Sequence, residues 1–158
     1  MEALRLVTGD AIDPQADGRK IVAHVCNDIG AWGKGFVLAV TRRWREPEQA
    51  YRRWHRDRAN NDFGLGAVRL VQVQPDFWVA NMIGQHGIHA TAAGPPIRYD
   101  ALAQCLESLA GHAARLEASV HMPRIGCGLA GGRWEWIEPL IVTALCRRDI
   151  AVTVYDLP

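Results

Sequence analysis

Met122-Pro-Arg-Ile-Gly-Cys-Gly-Leu-Ala-Gly-Gly-Arg-Trp134 is the stretch that decides how this chain is read. An apolar segment, Ser119 to Ile125, stops at a loop with four glycines in seven residues, and a helical pattern follows. Glycine lets the backbone take φ > 0 and lets a ligand approach the main chain. The helix that follows turns free N–H groups toward that ligand, which favours an anion such as a diphosphate. A second loop of this kind, Asn27-Asp-Ile-Gly-Ala-Trp-Gly-Lys-Gly35, also stands between an apolar run and a helix. One such loop is often only a turn. Two in one small chain point to a phosphate cradle.

Outward from these loops, strand and helix patterns alternate. Leu4 to Thr8 and Lys20 to Val25 read as strands, with Ile-Val-Ala the buried part of the second. Gly35 to Arg45 carries Phe36, Val37, Val40 and Trp44 at helical spacing, and Pro47 opens a helix reaching about Arg58. Ala67 to Val73 and Phe77 to Ile83 read as strands joined by the turn Gln74-Pro75-Asp76. Residues 84–97 show little periodicity, and a loop of that length in a compact domain is usually functional or mobile. Tyr99 to Leu116 is a strongly amphipathic helix. Ser119 to Ile125 is a strand, Trp134 to Cys146 a helix, and Ile150 to Tyr155 the last strand. The expected class is α/β, a mixed sheet with helices on its faces. Ligands of open α/β sheets sit outside the carboxyl ends of the strands. Both glycine loops, the Gly9-Asp10 turn and the Gly84-Gln-His-Gly87 segment follow strands, so they can converge on one cleft.

At 158 residues the chain is expected to form one domain, residues 1–158, large enough for a real core. A net charge of +1 gives no global attraction to nucleic acid or to an acidic membrane. Seven arginines between Arg42 and Arg58 alternate with Trp44, Tyr51 and Trp54, a pattern that can bind nucleic acid. Glu46, Glu48 and Asp57 dilute it, and a solvated helical face is preferred. Four cysteines without metal-type spacing fit a reduced, cytoplasmic protein. No metal site is expected. No signal-peptide core or membrane-length apolar window is present, so no membrane partner is expected. A dinucleotide-binding Rossmann unit is disfavoured, because no Gly-x-Gly-x-x-Gly follows the first strand.

These motifs, in this order, resemble the macrodomain family, which binds ADP-ribose on a three-layer α/β/α fold with a mixed central sheet. Thr8-Gly-Asp10 looks like its opening motif, whose acidic residue contacts the adenine amino group. Ala23-His-Val-Cys-Asn-Asp-Ile-Gly-Ala-Trp-Gly-Lys-Gly-Phe36 looks like the loop around the distal ribose and diphosphate. Met122 to Leu129 looks like the second phosphate loop, and Val152 to Tyr155 closes the chain as in this branch. Two groups look similar. Terminal ADP-ribose protein glycohydrolases share the run 122–129; ADP-ribose 1''-phosphate phosphatases share the pattern from His24 to Gly33. The aspartate and lysine that carry the glycohydrolases' covalent mechanism are replaced here by Ala130 and Gln85.

The resemblance implies a ligand surface of Gly9, Asp10, Ala11, Asn27, Trp32, Gly33, Lys34, Gly35, Phe36, Gly126, Cys127, Gly128, Leu129, Ala130, Gly131 and Tyr155. Catalytic candidates are Asn27, Gln85, His86, Asp28 and His24. Asn27 can hold the distal ribose hydroxyls or orient water, or simply build an Asx-turn. Trp32 and Phe36 can line the cleft or the core. Gln85 can position water but is no base near neutral pH. Histidine is the residue type that exchanges protons there, which makes His86 a candidate acid or base. His24 is the residue the phosphatase-like pattern would use, although a lone histidine on an apolar strand is more often a satisfied core residue. Cys127 is read as a small loop residue, not a nucleophile. The expected activity is removal of ADP-ribose from acidic side chains of proteins by water attack at C1'', with no cofactor. The expected partners are ADP-ribose and ADP-ribosylated proteins. The alternatives are a non-catalytic reader of ADP-ribose or a 1''-phosphate phosphatase.

Overall fold

The computed structural model describes residues 2–158. Six strands form one sheet: β1 (Arg5–Thr8), β2 (Lys20–Asn27), β3 (Val68–Gln74), β4 (Phe77–Gln85), β5 (Ser119–Pro123) and β6 (Val152–Asp156). Their order is β1-β6-β5-β2-β4-β3, and every neighbouring pair is parallel except β3 with β4. Helices α1 (Phe36–Arg43) and α2 (Glu46–Arg56) cover one face; α3 (Tyr99–Leu116) and α4 (Trp134–Ala144) cover the other. This is the three-layer α/β/α arrangement with a mixed central sheet.

Strands buried on both faces read as continuous apolar runs, and the period of two sorts each side chain to a layer. Ile21 and Ala23 of β2 join Ala80, Met82, Val120 and Met122 against Leu102, Leu106 and Leu109 of α3 and Ile137 and Ile141 of α4. Val22 and Cys26 face the other way, with Val79 and Ile83, against Val40, Trp44, Tyr51 and Trp54. The aromatics between the arginines are thus core residues, 7%, 0% and 1% exposed for Trp44, Tyr51 and Trp54, and these three offer no stacking surface to nucleobases.

Several boundaries differ from the sequence reading. β2 continues to Asn27 through a register shift between Cys26 and Asn27. β5 ends at Pro123, which has no N–H for the ladder. α2 stops at Arg56 and α4 at Ala144, each followed by a short 3₁₀ turn. The turn before β4 contracts to Pro75-Asp76, with Asp76 at φ 61°. β4 extends to Gln85, which bridges Ile97. His86 N–H donates to Pro96 O at 2.8 Å, so residues 84–97 form a pinned excursion from the sheet.

Two histidines are buried within the layers. His24, opposite Asn81 in the β2–β4 register, shares a 2.6 Å hydrogen bond with its side-chain oxygen; Asn81 Nδ2 donates to Pro47 O at 3.0 Å. His121 lies between Ser119 Oγ (2.8 Å) and Tyr155 Oη (2.7 Å). Burial lowers His24 to about 4, and burial with the nearby Lys20 charge lowers His121 to about 4. Both are neutral when folded, while the unfolded chain protonates them below about 6.5. Their contribution is complete above that value and is lost as pH falls toward 4. Denaturant titration at pH 7.5 and pH 5 should show a loss of roughly 2 kcal/mol per histidine at the lower pH. Equal stability at both values would mean that these rings are protonated in the fold.

Candidate functional site

β2 leads into the helices of one face, and β5 leads into α4 on the other. Adjacent parallel strands whose connections part in this way open a crevice at their carboxyl ends. The loop after β2 and the loop after β5 meet across it. A Cβ placed on Gly35 would stand 3.3 Å from Leu129 Cδ1.

Two adjoining cavities occupy the crevice. One, about 370 Å³, lies between the first loop and the 84–97 segment and is lined by Val25, Cys26, Asn27, Ala31, Gly33, Lys34, Val37, Gln85, Ile88, His89 and Leu129. The other, about 280 Å³, lies between the glycine loops and includes His24, Lys34, Gly35, Phe36, Arg124, Gly126, Gly128, Leu129 and Ala130. Val25, Lys34, Val37, Gln85 and Leu129 line both. The carboxyl ends of β1, β6, β5, β2 and β4 follow one another along this edge. Four inter-strand steps, roughly 19 Å, suit an elongated ligand of dinucleotide size.

The second cavity favours an anion. α1 begins after Gly35, whose φ of 82° turns the chain, and no acidic residue stands in its first turn. Gly35, Phe36 and Val37 at this helix start line the cavity beside Lys34, and the first-turn amides of a helix lack intrahelical acceptors. The second loop closes on itself through Cys127 N–H to Arg124 O, Gly131 N–H to Gly128 O and Gly132 N–H to Gly126 O. The amides of Gly128, Leu129 and Ala130 fall outside this set. Arg124 also lines the cavity, but its guanidinium grips Asp156 in two bonds of 2.7 and 2.9 Å, holding that carboxyl below its usual range.

The expected residues divide into three groups. Gly33, Lys34, Gly35, Phe36, Asn27, Gln85, Gly126, Gly128, Leu129 and Ala130 come together in the cavities. Phe36 both lines the cleft and packs on the core. Cys127 and Gly131 belong to the same loop, and burial pushes the Cys127 thiol up, away from nucleophile chemistry. Gly9, Asp10, Ala11 and Tyr155 cluster farther along the edge. Gly9 N–H donates to Asp156 O at 2.8 Å, and a Cβ on Gly9 would meet the Tyr155 ring at 3.3 Å. Asp10 is exposed, with Oδ1 accepting from Ile12 N–H at 3.0 Å. The Tyr155 hydroxyl is taken by His121.

The third group departs from its expected roles. Trp32 is 3% exposed; its Nε1–H donates to Thr41 Oγ1 at 2.7 Å and its ring packs on His24 and Tyr51. It is core and does not cover a sugar. His24 borders the second cavity but is 1% exposed and neutral, with its Nδ1 unpartnered, which removes it as an exchanger of protons with solvent. Asn27 is consumed by its own loop. Its Oδ1 accepts from Ile29 and Ala31 N–H and from Tyr51 Oη–H, and its Nδ2 donates to Ala31 O at 2.7 Å. Removing that side chain would collapse the loop, so binding and turnover would fall together, contrary to a purely water-orienting role. Asp28 and His86 lie outside the cavity walls and bond to each other at 2.7 Å. Ile88 and His89, unremarked in the sequence, line the larger cavity. The one signal for them was their place in the aperiodic 84–97 segment.

No family model matches the chain. A macrodomain protein from Streptomyces coelicolor is 62% identical, with a TM-score of 0.89, over 98% of this chain and 99% of that one. Chromodomain-helicase-DNA-binding protein 1-like from Danio rerio is 33% identical over 97% of this chain, which spans 15% of that relative's length. The human ADP-ribose glycohydrolase OARD1 is 37% identical over 60 residues, 37% of this chain and 40% of that protein. Thermosipho africanus DarTG in complex with ADP-ribose shares the fold, with a TM-score of 0.77 at 18% identity, covering 100% of this chain and 42% of that one.

Gly128 offers a clean test of the second cavity. A Cβ there meets nothing within 4 Å, and its φ is outside the left-handed region. Gly128→Glu should fold normally by circular dichroism and yet weaken ADP-ribose binding at least ~100-fold, about 2.7 kcal/mol, by placing a carboxylate in the cradle. Unchanged affinity would show that this loop does not hold the anion.

Proposed function

The chain belongs to the macrodomain family, and on that premise we propose that it binds ADP-ribose and hydrolyses it from glutamate or aspartate side chains of modified proteins. One observation carries the proposal: the two glycine loops face each other across a continuous crevice at the carboxyl ends of β2 and β5. The adenine would lie toward Asp10, the diphosphate between the loops, and the distal ribose in the larger cavity. Holding the sugar in place lowers the barrier by replacing a bimolecular encounter with a positioned one. Water would attack C1'', and the side-chain carboxylate would leave. Gln85 would help orient that water: its Nε2 donates to Gly87 O at 3.0 Å, which leaves its carbonyl oxygen as an acceptor.

Gln85 and Ala130 supply neither an amine nor a carboxylate, so the reaction would proceed without a covalent lysine intermediate. That same pair of residues favours a second reading, a reader that binds ADP-ribose without cleaving it. The similarity to an ADP-ribose glycohydrolase supports the hydrolase. Three of the four unpaired cysteines are buried, in keeping with a reducing, cytoplasmic setting as the proposed location.

Calorimetry should give an ADP-ribose affinity in the micromolar range, about −7 to −9 kcal/mol, with AMP weaker. No heat at millimolar ligand would remove the binding assignment. Asp10→Asn preserves an acceptor for Ile12 N–H but removes the charge; it should weaken ADP-ribose and AMP alike by roughly 1.5–3 kcal/mol. Release of free ADP-ribose from glutamate-modified protein separates hydrolase from reader. Borohydride added during turnover should trap no enzyme–sugar adduct, and an adduct on Lys34 would overturn the water mechanism.

A further inference from the structure

We infer that His89 is the acid–base residue of the larger cavity, and that Asp28 and His86 serve it by fixing the loop that carries it. The inference deepens the hydrolase reading and rests on it.

Three residues lining that cavity carry titratable side chains: Cys26, Lys34 and His89. Hydrolysis needs a group that takes a proton from the attacking water near neutral pH. Cys26 is buried, and burial pushes its thiol well up. Lys34 is an ammonium with donors only, and it also lines the adjoining cavity, where a diphosphate's charge would hold it. The imidazole of His89 is left, exposed on the wall shared with Asn27 and Gln85.

A base on a surface loop is useful only if the loop is held. Asp28, whose side chain is 15% exposed, clasps the segment from the opposite side of the crevice. Its Oδ1 accepts from Gly87 N–H at 2.7 Å, and its Oδ2 lies 2.7 Å from His86 Nδ1. An ionised carboxylate only accepts, so Nδ1 carries the proton. His86 N–H bonds Pro96 O, Gln85 Nε2 bonds Gly87 O, and Gln85 bridges Ile97. Residues 85–87 are therefore pinned on both sides, and His89 follows two residues beyond the last tie. His86 spends its Nδ1 on the clasp and lies outside the cavity wall, so it is a positioning residue.

In the step assigned to His89, water oxygen bonds to C1'' while its proton passes to the imidazole. The bond from C1'' to the acyl oxygen breaks, and its electron pair leaves as the side-chain carboxylate. The protonated ring then returns its proton to solvent. The titratable groups on the elements that line this cavity or hold its loop are Lys34 from the first loop, Cys26 from β2, and the Asp28–His86 pair.

The test uses glutamate-ADP-ribosylated protein as substrate and free ADP-ribose as the binding probe. His89→Gln should lower kcat by about 100-fold or more while leaving the ADP-ribose Kd within about threefold. Wild type should show an acid limb in its kcat–pH profile, and that limb should vanish from the residual activity of His89→Gln. Asp28→Asn should instead raise KM as well as lower kcat, because it loosens the loop. Wild-type turnover by His89→Gln, or loss of ADP-ribose binding together with turnover, would overturn the assignment and leave the hydrolase reading standing. A wild-type protein that binds ADP-ribose without releasing any product would overturn both.

Discussion

The hydroxyl of Tyr51 is the point on which the crevice depends. It is fully buried, 2.6 Å from Asn27 O and 2.8 Å from Asn27 Oδ1, and it accepts from Gly30 N–H at 3.2 Å. Desolvation raises its pKa, so it stays a donor. Through this one group, the shape of the first loop is tied to the seating of α2 on the sheet. A buried polar cluster of this kind is costly when half satisfied and specifying when complete. Here every polar atom of the Asn27 carboxamide has a partner, and the loop has one shape. The helix start at Gly35 and the amides it presents are set by that shape.

The same economy explains how much of the fold could be read in the sequence. α3 was legible to the residue, because its leucines keep one face; in the structure Glu117, in the left-handed conformation, ends it. β2 and β4 were legible through their apolar runs. Their last residues were not: Asn27 and Gln85 pair with each other across the sheet by backbone alone, and polar side chains carry no strand signal. The glycine loops announced the phosphate end of the crevice, since glycine there is a backbone requirement. The sugar end was less readable. Which way Trp32 faces depends on Thr41 nine residues on, and which imidazole reaches the cavity depends on a clasp between residues 58 positions apart. Such placements follow from tertiary contacts, and a linear pattern holds no trace of them.

Charge is arranged with similar selectivity. Arg124 is neutralised by Asp156, and Arg52 by Glu48. Lys34 stands on both cavities with no ion pair among the described residues. The crevice thus presents backbone amides and a single lysine, while the arginines of α1 and α2 lie on the outer surface. That separation favours a small anionic ligand over an extended polyanion.

The parallel pairing of β1 with β6 has a practical consequence for handling the protein. Arg5 lies beside Thr153 and Thr8 beside Asp156, so β1 and β6 run side by side in the same direction. β1 starts at the edge opposite the crevice, and β6 ends beside it. An affinity tag or surface tether ahead of Glu2 would hold the molecule with its ligand edge toward solution. The same appendage after Pro158 would crowd the end of the crevice next to Asp10. For immobilised binding assays, and for fusions to a fluorescent reporter, the amino end is the better handle.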